Sequence, residues 1–250
     1  GVQARLDRVV AQMSTWDAGS DISAYNRADA GTWLRLPDEF HAVLSCALRI
    51  AETSDGAFDP TIGSLVGLWG FGADASRGDA PSVSECDAAR SAVGWRRIAL
   101  RDGEVLQPGG VRLDLSAIAK GFGADLVVAG LREAGIRGAL VEVGGELHGY
   151  GRKPDGTRWR VLVEAGPEED DDSLEPRVLE LDGIAVATSG DRWHHYTRRE
   201  EHGDERRYTH TIDPRSGAPV EHAPVAVTVV ARDAMHADAW ATALTVLGES

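Results

Sequence analysis

Apolar positions recur at helical spacing from the first residues of the chain. VQARLDRVVAQMSTW sets Val2, Leu6, Val9, Val10, Met13 and Trp16 on one face of a helix. A second helix is expected from Pro37, with Asp38 and Glu39 in its first turn and Phe40, Val43, Leu44, Ala47, Leu48 and Ala51 facing inward. SVSE at 82–85 has the form of a capping box for a third helix ending near Gly94. Past it the period changes. RIALRDGEVLQ alternates about Asp102-Gly103, the signature of a β-hairpin. A helix follows DLSAIAKG to about Glu133 and is closed by Gly135. The next strands are expected at ALVEV, RWRVLVEA, RVLEL, GIAVATS, RYTHTID and PVAVTVVA, before a last helix from Asp233. Helices early, strands late and no βαβ repeat predict an α+β fold, helices packed on a mostly antiparallel sheet. No linker or internal repeat divides the chain, so one domain over 1–250 is expected.

Several polar stretches interrupt this pattern. In DLSAIAKG, Asp114 and Lys120 bracket small residues, which suits close approach to an anionic ligand or an ordinary strand-to-helix junction. SDGAFDPTIGSLVGLWGFG, residues 54–72, reads by local rules as a turn and a short buried helix. VATSGD reads as a strand running into a turn, where Thr188, Ser189 and Gly190 could offer hydroxyls and amides to an anion. His210, in HTIDPRSGAP, has the titration range for proton transfer but also suits a structural place beside a strand. In HADAWATAL, Asp238 and Thr242 share one helical face, an oxygen pair suited to a hard cation; an aspartate near a helix start also simply complements the dipole.

Composition narrows the classes. The chain has 250 residues, 42% apolar and 26% charged, as in ordinary globular proteins. A formal charge of −14 excludes the basic footprint that nucleic acid or an anionic membrane requires. Much of that charge lies in EAGPEEDDDSLEP, 164–176, expected to be a solvated loop. Cys46 and Cys86 form neither a disulfide framework nor a metal knuckle, with a single bridge still open. A phosphate ligand would need local positive charge from Lys, Arg, a helix N-terminus or a divalent cation.

Read in order, DGAFDPTIG, LDLSAIAKG, Gly144-Gly145, ATSGD, YTHTIDPRSG and DAWATAL resemble the ApbE family, the FAD:protein FMN transferases. STWDAGSDISAYN resembles that family's early flavin-proximal segment. The resemblance implies FAD as substrate, transfer of FMN to a Thr or Ser hydroxyl of an acceptor protein, and release of AMP. It implies that Trp16, Ala57, Phe58, Asp59, Asp114, Lys120, Ser189, Gly190, His210 and Thr211 line the dinucleotide site. Ala117 through its carbonyl, Asp238 and Thr242 would hold Mg²⁺, with Mn²⁺ able to replace it, and His210 would be the base. An FAD pyrophosphatase or a non-catalytic flavin-binding protein are the competing readings. The resemblance also leads one to expect a strand before this segment and another after it, both absent here. Its relatives are often exported lipoproteins, but neither a leader nor a lipid-attachment cysteine is expected here, so the compartment stays open and the cytoplasm is possible.

Overall fold

The structure is a computed structural model that describes residues 1–73, 80–163, 177–190, 195–199, 205–220 and 226–248. The acidic run 164–176 lies outside them. The first half carries α1 (Val2–Met13), α2 (Asp21–Arg27), β1 (Trp33–Arg35), α3 (Asp38–Thr53), α4 (Gly63–Leu68) and α5 (Val83–Ser91). After a 3₁₀ turn come β2 (Leu100–Arg101), β3 (Glu104–Leu106) and α6 (Ala119–Glu133). The second half carries β4 (Ala139–Val143), β5 (Glu146–Tyr150), β6 (Trp159–Val163), β7 (Arg177–Leu181) and β8 (Ile184–Gly190). It closes with β9 (His195–Arg199), β10 (Glu205–Thr209), β11 (Ile212–Asp213), β12 (Ala218–Pro219), β13 (Ala226–Ala231) and α7 (Ala234–Leu247).

The α+β expectation holds. A four-stranded antiparallel sheet, ordered β13-β8-β5-β4, carries α6 and α7 packed against it and against each other. Small side chains make that packing close. Ala187, Ala237 and Ala241 form the seam between α7 and β8, with Val229 and Ala231 at its margin. Ala124, Val127 and Val128 of α6 meet Val141, Tyr150 and Ala185 of the sheet. The helices of the first half form the largest core, around Phe40, Leu44, Leu113, Leu115 and Ile118, which also receives Ala239 and Ala243 of α7. Helix α7 is therefore buried on two sides.

The hairpin forms as expected. Asp102 (φ 40°) and Gly103 (φ 75°) take the left-handed backbone that a two-residue turn needs, and β1 adds a third strand. The capping box also forms, Ser82 accepting from the Glu85 N–H while Glu85 accepts from the Ser82 N–H.

Four boundaries differ from expectation. Helix α1 stops at Met13, and Trp16 is not on its face but 70% exposed. Ser14 takes extended backbone there, its hydroxyl accepting from the Trp16 N–H at 3.2 Å, a local bond that competes with the helix. Helix α5 ends at Ser91, before Gly94, because Gly94 (φ 156°) turns the chain into the 3₁₀ segment. VATSGD does not turn at Thr188: β8 stays paired with β13 through Ser189↔Val227 and Gly190↔Ala226. The strand expected at RYTHTID breaks at His210 and Thr211, where the Thr211 N–H bonds to the Thr209 hydroxyl (3.2 Å) rather than continuing a ladder. Helix α2, unforeseen, is capped by Ser20 accepting from the Ser23 N–H. Cys46 and Cys86 are both free.

Candidate active site

The N-terminal turn of α6 meets α7 at closest approach. A Cβ placed on Gly121 would lie 2.1 Å from the Ala234 carbonyl oxygen, so only glycine lets the two helices come this near. Behind the contact, Asp125 of α6 accepts from the Ala234 and Met235 N–H groups, both at 2.9 Å. Asp233 accepts from the His236 N–H at 2.9 Å. Two carboxylates thus satisfy three of the unpaired donors at the start of α7 and complement its dipole. His148 on β5 holds Asp125 from the sheet side, Nδ1 to Oδ1 at 2.6 Å, while its Nε2 is buried without a partner among the described residues.

One turn toward the N-terminus of α6 lies the charged centre. Asp238, 4% exposed, accepts from the Gly121 N–H through Oδ2 and from Lys120 Nζ through Oδ1, each at 3.0 Å. The same ammonium reaches Glu146 Oε1 at 2.5 Å. Glu146 is 3% exposed and its Oε2 is buried with no partner among the described residues. The Lys120 stem passes over Gly144, where a Cβ would come within 3.0 Å of its Cδ and where φ is +61°. That is the work of the Gly144-Gly145 pair.

Two buried carboxylates share one ammonium, and the electrostatics reflect it. Burial, then the nearby Asp238 charge, push the Glu146 carboxyl up to about 7, against the opposing pull of Lys120. Burial likewise raises Asp238, with Lys120 opposing. For Lys120, burial acts downward, but Asp238 and Glu146 together outweigh it and hold the ammonium above its ordinary range. Two carboxyl groups thus compete for one ammonium, and Glu146 holds a proton below about 7.

The geometry also leaves oxygens free. Because the Gly121 N–H turns to Asp238, the Ala117 carbonyl, four residues back, accepts none of the backbone hydrogen bonds that tie this turn. Thr245 bonds back to the Ala241 carbonyl at 2.8 Å, but Thr242 makes no side-chain bond among the described residues. A carboxylate, a hydroxyl and a carbonyl on adjoining turns are an all-oxygen set of the kind a hard cation takes, incomplete enough to leave positions for water and phosphate. Among the described residues no group of three His, Cys, Asp or Glu is arranged to hold a metal ion.

The other expected site residues are placed unequally. Asp114 fixes the loop before α6: its Oδ1 accepts from the Ser116 N–H (2.8 Å) and its own N–H bonds to the Pro60 carbonyl (2.9 Å). That joins DLSAIAKG to the AFDP segment. Ala57 and Phe58 are buried, and Phe58 packs into the main core. Asp59 faces inward, its Oδ1 on the Thr61 N–H and hydroxyl (2.8 and 2.6 Å) and its Oδ2 on the Trp95 N–H (3.1 Å). His210 sits edge-on to Phe71 at 6.4 Å between ring centroids, and Thr211 is buried. No hydrogen bond joins Trp16, Ser189 or Gly190 to the Lys120 centre among the described residues.

Beside Asp59 opens a cleft of about 420 Å³ bordered by Trp95, Arg90, Arg96, Arg97 and Arg215. Its lining does not include Lys120, Glu146 or Asp238. Glu146, Asp125 and His148 were not foreseen; an acidic residue opening a strand directly after Gly-Gly was the available signal for the first.

Fold and site together define an α+β enzyme class, with a lysine–carboxylate centre where a helix N-terminus meets a buried helix on an antiparallel sheet. The chain belongs to the ApbE family, whose model matches residues 1–250. It is 35% identical over 254 residues to an FAD:protein FMN transferase of Vibrio cholerae, covering 99% of this chain and 74% of that one. Against the Escherichia coli FAD:protein FMN transferase the identity is 32% over 252 residues, covering 99% and 70%. The apo crystal structure of Pseudomonas stutzeri flavinyl transferase ApbE superimposes with a TM-score of 0.89 at 36% identity, covering 100% of this chain and 75% of that one. The Thermotoga maritima ApbE protein gives 0.85 at 31%, covering 98% and 77%.

Proposed function

We propose that this protein is an FAD:protein FMN transferase that moves FMN to a Thr or Ser hydroxyl of an acceptor protein and releases AMP, with Mg²⁺ as cofactor. The observation that carries the reading is the Lys120–Asp238 pair at the N-terminus of α6, with an Ala117 carbonyl and a Thr242 hydroxyl that make no hydrogen bond among the described residues. The names of its relatives support it.

In this reading Asp238, Thr242 and the Ala117 carbonyl hold the cation. When bound, it withdraws charge from the pyrophosphate and stabilises the leaving phosphate. Lys120 and the N-terminus of α6 supply further positive potential to the dinucleotide, charge the acidic chain otherwise lacks. Asp114 orders the loop that faces it, and Trp16, Ala57, Phe58, Asp59, Ser189, Gly190 and Thr211 complete the dinucleotide's surroundings. The acceptor oxygen attacks the FMN phosphorus; a new P–O bond forms and the bond to AMP breaks, its electron pair leaving with AMP. His210 takes the hydroxyl proton. Little covalent help is needed, since positioning and charge supply most of the acceleration in phosphoryl transfer.

The test is mass spectrometry of a candidate acceptor incubated with the protein, FAD and Mg²⁺. FMN joined to a Thr or Ser peptide is expected, slowed by roughly 10²–10⁴-fold in His210→Ala, the usual range for a general base. Free FMN and AMP with no labelled acceptor would assign hydrolysis instead.

A further inference from the structure

Both oxygens of Asp238 are occupied, Oδ2 by the Gly121 N–H and Oδ1 by the Lys120 ammonium. A divalent cation at Oδ1 would stand beside that ammonium and be repelled by it. Glu146 holds the same ammonium from the other side at 2.5 Å and keeps a second buried oxygen, Oε2, unpartnered among the described residues. The Lys120 stem crosses Gly144, so no side chain at that position hinders its movement. The lysine side chain is 41% exposed, whereas the side chains of Glu146 and Asp238 are only 4% and 5% exposed. The lysine side chain is thus the solvent-facing member of the centre, its ammonium held between two buried carboxylates.

We propose that Glu146 is a positioning residue that shares the Lys120 ammonium with Asp238, so that a cation reaches Asp238 only as Lys120 withdraws toward Glu146 or onto a bound phosphate. This rests on the cation site proposed above and adds what governs access to it. Without dinucleotide, Lys120 competes for Asp238 and the cation binds weakly. With dinucleotide, the phosphates draw the ammonium away and the carboxylate is released, so the two ligands bind cooperatively. Glu146 sets the balance, because it is the ammonium's alternative partner when no phosphate is present.

The experiment is calorimetric titration of Mg²⁺ into the whole chain without FAD, above neutral pH so that Glu146 is ionised. Lys120→Met is expected to bind Mg²⁺ about 10-fold more tightly than the unaltered protein, and Glu146→Gln about 5-fold more weakly, within the usual range of coupling between sites. The opposite signs are the diagnostic, since simple loss of packing would weaken both. Unchanged or weaker Mg²⁺ binding in Lys120→Met overturns the proposal, as does unchanged or tighter binding in Glu146→Gln. If Lys120→Met does not fold, Lys120→Gln, which also removes the ammonium, takes its place with the same two outcomes. Mg²⁺ binding to none of the three proteins, even with FAD, would remove the cation reading and this proposal with it; Mg²⁺ binding of equal strength in all three removes only this proposal.

Discussion

Around Asp238, two buried carboxylates divide one ammonium between them; around the cleft beside Asp59, each arginine has an acceptor of its own. Arg96 meets Asp55, Arg90 meets Asp87, and Arg215 meets Asp213 through two nitrogens. Arg97 reaches the carbonyls of Ser91, Ala92 and Gly109. The cleft carries the more charged groups, yet they are paired and spent on joining loops. At the Lys120 centre two carboxyl groups face one ammonium. Unpaired buried charge is costly to fold around, so the imbalance there points to a ligand that completes it. Number of charges is not what sets the proposed site apart; the sharing of one ammonium by two buried carboxyl groups is.

The sharpest way to break this comparison is Asp238→Asn. The amide keeps the shape and an acceptor for the Gly121 N–H, but it removes the only full negative charge among the proposed cation ligands. Transfer is expected to fall by roughly 10³-fold, equivalent to the several kcal/mol a metal contributes to such a transition state. Single-turnover flavinylation measures it, with a melting curve to confirm the fold. A loss below tenfold would mean that the decisive charge sits elsewhere.

A smaller effect concerns pH. Burial first, and Asp238 second, move the Glu146 carboxyl from 4.5 to about 7. Between those values the folded protein keeps a proton that the unfolded chain has released. Stability from this group is therefore greatest at the acid end of the window, declines as pH rises to about 7, and is flat above it. Asp238 is displaced in the same direction and adds to the slope. Glu146→Gln has no such titration. Its melting temperature relative to the unaltered protein should rise across this window, the same buried acid Asp59 cancelling in the difference. Parallel curves would show that Glu146 is not titrating in a buried, negatively charged place.

The two regions were not equally legible in the sequence. Asp238 and Thr242 could be placed on one face because helical spacing is local information, and the capping box and the Asp102-Gly103 turn were readable for the same reason. Lys120 and Asp238 are 118 positions apart, and nothing local announces their contact. Glu146 was passed over because an acid at a strand start ordinarily faces solvent; its burial is decided by α6 and α7 lying across the sheet. Trp16 continued an apolar spacing that Ser14 had already ended, a competition between side chain and helix that periodicity does not register. Ser189 and Gly190 looked like turn residues by type, yet a neighbouring strand holds them in register, Ser189 against Val227, 38 residues on. Asp59 was visible as a polar residue in an apolar stretch, but that its carboxylate braces Thr61 and Trp95 depends on a loop some 36 residues away.

The smallest expected effect tests the other half of the comparison. The Asp55–Arg96 pair spans 3.4 Å with side chains 92% and 69% exposed, so water and salt screen most of its attraction. Asp55 also has a second task, holding a left-handed turn at φ 48°. Asparagine adopts that backbone readily, so Asp55→Asn removes the charge and spares the turn, which Asp55→Ala would strain. Stability should change by no more than about 0.5 kcal/mol, as for exposed pairs generally. Mg²⁺ affinity and transfer rate should stay within roughly twofold, since the Asp55–Arg96 pair shares no hydrogen-bond partner with the Lys120 centre among the described residues. Denaturant melts and the flavinylation assay read the two quantities separately. A tenfold loss of transfer with stability intact would bring the cleft into the reaction, as a surface that the acceptor or the dinucleotide touches, and the balanced arginines would no longer count as joinery alone.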